Sequence, residues 1–150
     1  MSETPTALLL ALALAAGPAA AQQGKPLAEI PVRKQSNIAY VSAGMSELER
    51  REMQRIANRY PMQLIFVVEG APPEVRGVQV TVRNLKGEKE IEALSDGPLF
   101  YLNPPSGRWT MEVEYHGEKL SRTVDLVGRR YILLEFKFKM QGDDRALLLQ

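Results

Sequence analysis

Two periodicities meet at Pro61. Before it, apolar residues recur at helical spacing. Met45, Leu48, Met53, Ile56, Ala57 and Tyr60 share one half of the wheel, with Glu47, Arg51, Arg55 and Asn58 on the other. Ser46-Glu47-Leu48-Glu49 has the capping-box spacing, in which Ser46 accepts the amide of residue 49 and Glu49 reaches back. An amphipathic helix is therefore predicted from Ser46, closed by Pro61 and packed on a sheet.

After Pro61 the period falls to two. Met62 to Glu69, with the run Leu64-Ile65-Phe66-Val67-Val68, is dense enough in apolar residues to be a strand buried on both faces, and Ala71-Pro72-Pro73 breaks it. Val78, Val80 and Val82 alternate with Gln79, Thr81 and Arg83, and a weaker strand over Glu88–Leu94 turns Ile91 and Ala93 inward. Ser95-Asp96-Gly97-Pro98 supplies a turn before a strand at Leu99–Leu102. Trp109, Met111, Val113 and Tyr115 alternate with polar residues, as do Leu120, Val124 and Leu126, so His116-Gly117 between them forms a hairpin tip. Arg122 falls in the apolar phase, which suits an edge strand, because burying an unpaired arginine is costly. Ile132, Leu134, Phe136 and Phe138 face one way, and Lys137 and Lys139 on the other face discourage edge-to-edge pairing. About seven short strands joined by turns are the habit of an antiparallel sandwich.

The N-terminal pattern is of another kind. Ala7 to Ala16 is an apolar run of about 15 Å of helix, half a bilayer core, and Gly17-Pro18-Ala19-Ala20-Ala21-Gln22 follows it. This has the form of a secretory signal peptide cleaved between Ala21 and Gln22, with Ala19 and Ala21 as the small residues at the cleavage site, although Met1–Thr6 contain no lysine or arginine. The expected organisation is a signal at 1–21, a linker at 22–37, a helical lead-in at 38–61, the β-sandwich at 62–140 and a tail at 141–150. After signal removal no segment is long enough to anchor in a membrane, and export to the periplasm follows, with secretion as the alternative.

Composition narrows the chemistry. The 150 residues carry 19 basic and 18 acidic side chains, interspersed, for a formal net charge of +1, with no basic run that would suit nucleic acid. Cysteine is absent and there is one histidine, His116, so disulfides and histidine-cluster metal sites are excluded. No cofactor is expected. The carboxylate pairs Glu112/Glu114 and Glu90/Glu92 sit two apart on strands and belong to solvated faces. Arg51, Arg55 and Arg59 form a helical row that could meet phosphate or an acidic partner, but Glu47 and Glu52 are placed to neutralise it.

Leu102 to Gly117 resembles the carboxypeptidase regulatory-like domains. Pro105, Gly107, Trp109 and Gly117 fill the places of their proline-glycine turn, the aromatic opening an alternating strand, and the hairpin glycine. Ser106 separates proline from glycine, and Trp109 stands where tyrosine is usual. The resemblance covers roughly Met62–Phe138. It implies a mainly β fold, a seven-stranded transthyretin-like or immunoglobulin-like sandwich, as in small exported bacterial proteins. Hydroxyisourate hydrolases share that fold but use several histidines and a C-terminal Tyr-Arg-Gly-Ser, which this chain lacks. The expected function is that of a non-enzymatic accessory or binding protein contacting an unidentified protein or glycan. Tyr101 and Tyr131, off the core phase, are candidates for a contact patch or for packing under the helix. The alternatives are a hydrolase using carboxylates and His116, or an envelope assembly component.

Overall fold

The alternating runs form strands in the computed structural model, which describes residues 25–128 and 130–140. The elements are β1 (Arg33–Gln35), β2 (Ile38–Ala43), α1 (Glu47–Ile56), a 3-10 turn (Ala57–Arg59), β3 (Met62–Val68), β4 (Gln79–Arg83), β5 (Lys89–Leu94), β6 (Leu99–Asn103), β7 (Gly107–Tyr115), β8 (Glu118–Leu126) and β9 (Ile132–Phe138). They build two sheets, ordered β1-β2-β6-β3-β9 and β5-β4-β7-β8. The alternating apolar residues meet between the sheets. Met62, Leu64, Phe66, Phe100, Phe136 and Phe138 from the first sheet pack with residues such as Val80, Val82, Ile91, Met111 and Val113 from the second, all essentially without solvent contact.

The mainly β sandwich with one short helix is as expected, but its strands number nine among the described residues rather than seven. The additional pair lies in segments expected to be linker and helical lead-in. β1 has no apolar alternation, only Arg-Lys-Gln, and exists because β2 supplies a hairpin partner. Nor is the sandwich wholly antiparallel, since β9 runs parallel to β3 over seven residues, Met62 opposite Ile132 through Val68 opposite Phe138. β3 is fully buried on one face only; Gln63, Ile65 and Val67 on the other are half-buried. β8 is an edge strand and Arg122 is exposed on it, as the cost of burying an arginine required.

The helix packs on the outer face of the first sheet. Met53, Ile56 and Tyr60 close over Val41 and Ala43 of β2 and Tyr101 of β6, a second small core. Ser46 caps it, accepting the Glu49 N–H at 3.1 Å. The Glu49 carboxylate reaches past the cap, accepting from the amides of Gly44 (3.0 Å) and Met45 (3.2 Å). Two residues depart from the predicted helical face. Leu48, in the first turn, is 54% exposed, whereas Glu52 is buried. Its charge is tolerated there because Arg55 binds both carboxylate oxygens (2.7 and 2.8 Å) and the Leu27 N–H donates to one (3.2 Å). These bonds hold the Glu52 pKa below its ordinary value, against the opposing effect of burial.

Side chains rather than strands tie the two sheets together. On the β5–β6 turn, the Ser95 hydroxyl accepts from the Val78 N–H (3.0 Å). Across it, Ser42 donates to the Leu99 carbonyl and accepts from the Asp96 N–H, both at 2.9 Å. Gly97 lies so close to β2 that a Cβ there would stand 2.4 Å from the Ala43 carbonyl. At one rim the Gln35 amide imitates a strand. Its Oε1 accepts from the Glu92 N–H and its Nε2 donates to the Glu92 carbonyl, both at 3.0 Å, closing the free edge of β5.

Candidate contact surface

The helix covers only part of the first sheet's outer face. It lies over β2 and β6, and among the described residues no helix or strand covers the β3–β9 half. On that half Leu133 is 61% exposed opposite Gln63, and Ile65 and Val67 stand half-buried beside Glu135 and Lys137. Tyr131, just before β9, is 59% exposed and donates its hydroxyl to the Asn58 carbonyl at 2.8 Å, fixing the ring at the margin between helix and sheet. An aliphatic strip with an oriented aromatic at its end, rimmed by charge, is the composition of a contact patch.

Tyr101 does not belong to it. It is only 5% exposed, beneath the helix with the Tyr60 ring 6.4 Å away, and burial pushes the pKa of both phenols up. β6 is covered on both faces, so leaving the core phase on this strand leads into a second core and not into solvent. The partner for Tyr131 is instead Leu133, two residues on, which the period-two pattern places on the same side.

The other predicted residues have structural positions. The Trp109 indole is buried and donates to the Pro105 carbonyl at 2.9 Å, so the aromatic of the motif locks its own turn. Gly107, with φ of 150°, enters β7 in a conformation that favours glycine, as does Gly117 (φ 84°) at the β7–β8 hairpin. His116 shares that two-residue tip, with φ of 48°, its ring stacked on Tyr115 at 4.1 Å. The cleavage-site residues Ala19, Ala21 and Gln22, and the 141–150 tail, lie outside the described residues.

The carboxylates are spread over ion pairs. Glu112 meets Arg83 (2.8 Å) and Glu114 meets Lys119 (4.0 Å) along an open hollow of about 450 Å³ on the second sheet's outer face. Glu90 accepts from the Asn84 amide (2.6 Å) and Glu92 meets Lys89 (3.8 Å). On the helix, Arg51 pairs with Glu47 (2.7 Å) as Arg55 does with Glu52. Among the described residues no three His, Cys, Asp or Glu side chains are grouped to hold a metal ion, and no helix is long and apolar enough to cross a membrane.

No protein-family model matches the chain, and no curated protein matches it. Solved structures give low-identity likenesses. The Bacillus anthracis TIE protein matches over 52% of this chain and 16% of its own, at 10% identity and TM-score 0.42. Transthyretin from Sparus aurata matches over 53% of this chain and 89% of its own, at 12% identity and TM-score 0.36. The structure of S.CueP matches over 75% and 78%, at 16% identity and TM-score 0.38. The β-sandwich assignment rests on the two sheets themselves.

Proposed function

We propose that this chain is an exported, non-enzymatic accessory protein, built on a carboxypeptidase regulatory-like sandwich, that binds a protein partner in the periplasm through the uncovered β3–β9 face. The supporting observation is that face itself, where Leu133 and Tyr131 stand exposed beside Ile65 and Val67 while the helix occupies β2 and β6. A protein is favoured over a glycan because the strip is aliphatic and its one aromatic already uses its hydroxyl within the chain. The apolar run at Ala7–Ala16 and the alanines before Gln22 support export.

The test is capture of partners from an exported-protein fraction by the mature chain and by a Tyr131→Ala/Leu133→Glu variant. Loss of a specific partner in the variant supports the reading, and an unchanged partner set overturns it. A glycan array read with the same two proteins identifies a sugar ligand if the preference for protein is misplaced.

A further inference from the structure

We infer that the free edge of β9 is a self-pairing surface, on which a second copy of the chain adds its own β9 antiparallel in one register. Among the described residues no strand pairs with this edge. Its phase is settled by two bonds. The Ile132 N–H donates to the Pro61 carbonyl (2.7 Å) and the Phe138 carbonyl accepts from Glu69 (2.9 Å), so even-numbered residues of β9 turn their backbone groups toward β3. Leu133, Glu135 and Lys137 therefore turn theirs outward. Lys139, next in that phase, also turns its N–H outward, but there it meets Glu118 of β8 at 2.8 Å, so the outward groups a second copy would pair with are those of Leu133, Glu135 and Lys137.

A two-fold antiparallel pairing satisfies these groups only when odd-numbered residues stand opposite odd-numbered ones. Centred on Glu135, the pairing sets Glu135 against its own copy; centred on Lys137, it sets two lysines together. Centred on Phe136, it places Glu135 opposite Lys137 of the second copy, twice by symmetry. It also places Leu134 opposite Phe138 on the inner face and Leu133 opposite the aliphatic stem of Lys139. Glu135 and Lys137 already lie 3.4 Å apart on one exposed face, so the dimer would align four alternating charges. The lysines thus disfavour other strands and registers while permitting this one.

A hollow of about 430 Å³ lies beside the centre of that register, lined by Leu120, Ser121 and Arg122 of β8 and by Glu135, Phe136 and Lys137. The remaining edges are poorer. Gln35 closes β5, β1 is three residues long, and a two-fold pairing of β8 about its central residue would set Arg122 against its own copy. In that register the two β9 strands overlap over five residues, Leu134 to Phe138, a small interface, so association is weak and concentration-dependent. The inference is independent of the partner proposed above.

Sedimentation of the mature chain over a rising concentration series tests it. A monomer–dimer equilibrium is expected, weakened about tenfold or more by Glu135→Lys or by Lys137→Glu, since each puts like charges opposite at two symmetric positions, and restored when both are combined. A monomer up to the solubility limit overturns the inference, as does a double variant no better than the singles. The chain has no cysteine, so register is read by mixing Glu135→Cys with Lys137→Cys protein under oxidation. Preferential mixed disulfide supports the Phe136-centred pairing, and preferential Glu135→Cys homodimer overturns it. A dimer that forms only after deletion of residues 141–150 also overturns it, because the chain's own end would then be the occupant.

Discussion

Gly97→Ala probes the joint between the two sheets. The glycine has no left-handed φ, so alanine meets no backbone strain there; the obstacle is space. Its Cβ would stand 2.4 Å from both C and O of Ala43 and 2.9 Å from the Gly44 N, and these are backbone atoms of a strand packed on both faces. Ordinary contact needs about 1 Å more, so the turn must move away from β2, an overpacking that costs about 1–3 kcal/mol. The movement also pulls Asp96 from the Ser42 hydroxyl and strains the Ser95 bond to Val78, each worth about 1 kcal/mol. Restricting the unfolded chain returns about 0.5 kcal/mol. A net loss of about 3 kcal/mol follows. With a urea m-value of about 1.2 kcal/mol/M for a domain of this size, the midpoint falls by about 2–3 M. The fluorescence of Trp109, the single tryptophan and a buried one, reports the transition. Gly87→Ala is the control, since its φ of 80° is unfavourable to alanine but nothing lies within 4 Å, and about 1 kcal/mol is expected. A Gly97→Ala midpoint no lower than that of Gly87→Ala would refute the packing argument.

Two further predictions concern the first sheet's margins. Because Arg55 and the Leu27 N–H hold Glu52 below its usual pKa, the stability it contributes is present above the unfolded carboxylate value and is lost as pH falls through the folded one. Glu52→Gln should therefore lower the urea midpoint at neutral pH and flatten its acid dependence. Wild type and variant losing stability in parallel on acidification would contradict this. Gln35→Ala removes both bonds to the Glu92 backbone and the bond to the Tyr40 hydroxyl (2.8 Å). Amide exchange at Glu92 should accelerate well beyond that of residues at the centre of β4, and unchanged protection there would show that the glutamine does not guard the β5 edge.

How far the sequence reveals this fold depends on how local each cause is. Val78, Val80 and Val82, and Leu134, Phe136 and Phe138, face the core as their alternation requires, because a one-sided burial pattern is written into every second residue. The same logic made Arg122 an edge residue, and the positive-φ requirement of a two-residue hairpin placed His116-Gly117 at a tip. What escaped was determined at a distance. β1 carries no apolar signal, since its closure of the β5 edge is done by one amide some 57 residues away in sequence. The parallel β3–β9 pairing joins segments whose own patterns suit either direction. Tyr101 takes the packing under the helix that the sequence offered beside a contact patch, whereas Glu52 reads as a surface carboxylate until Leu27 and Arg55 close on it. Leu133 was already placed on the outer face by its phase; only the position of the helix, over β2 and β6, shows that among the described residues it stays exposed.

The central claim is that the work of this protein is contact through the β3–β9 face. Its most direct test is the paired capture experiment, with Tyr131→Ala/Leu133→Glu chosen because both side chains are more than half exposed, so that with the Tyr131 hydroxyl bond lost the stability should stay within about 1 kcal/mol of wild type. The account predicts a specific protein retained by the wild-type chain and lost by an equally stable variant. The same partners at the same yield from both would contradict it.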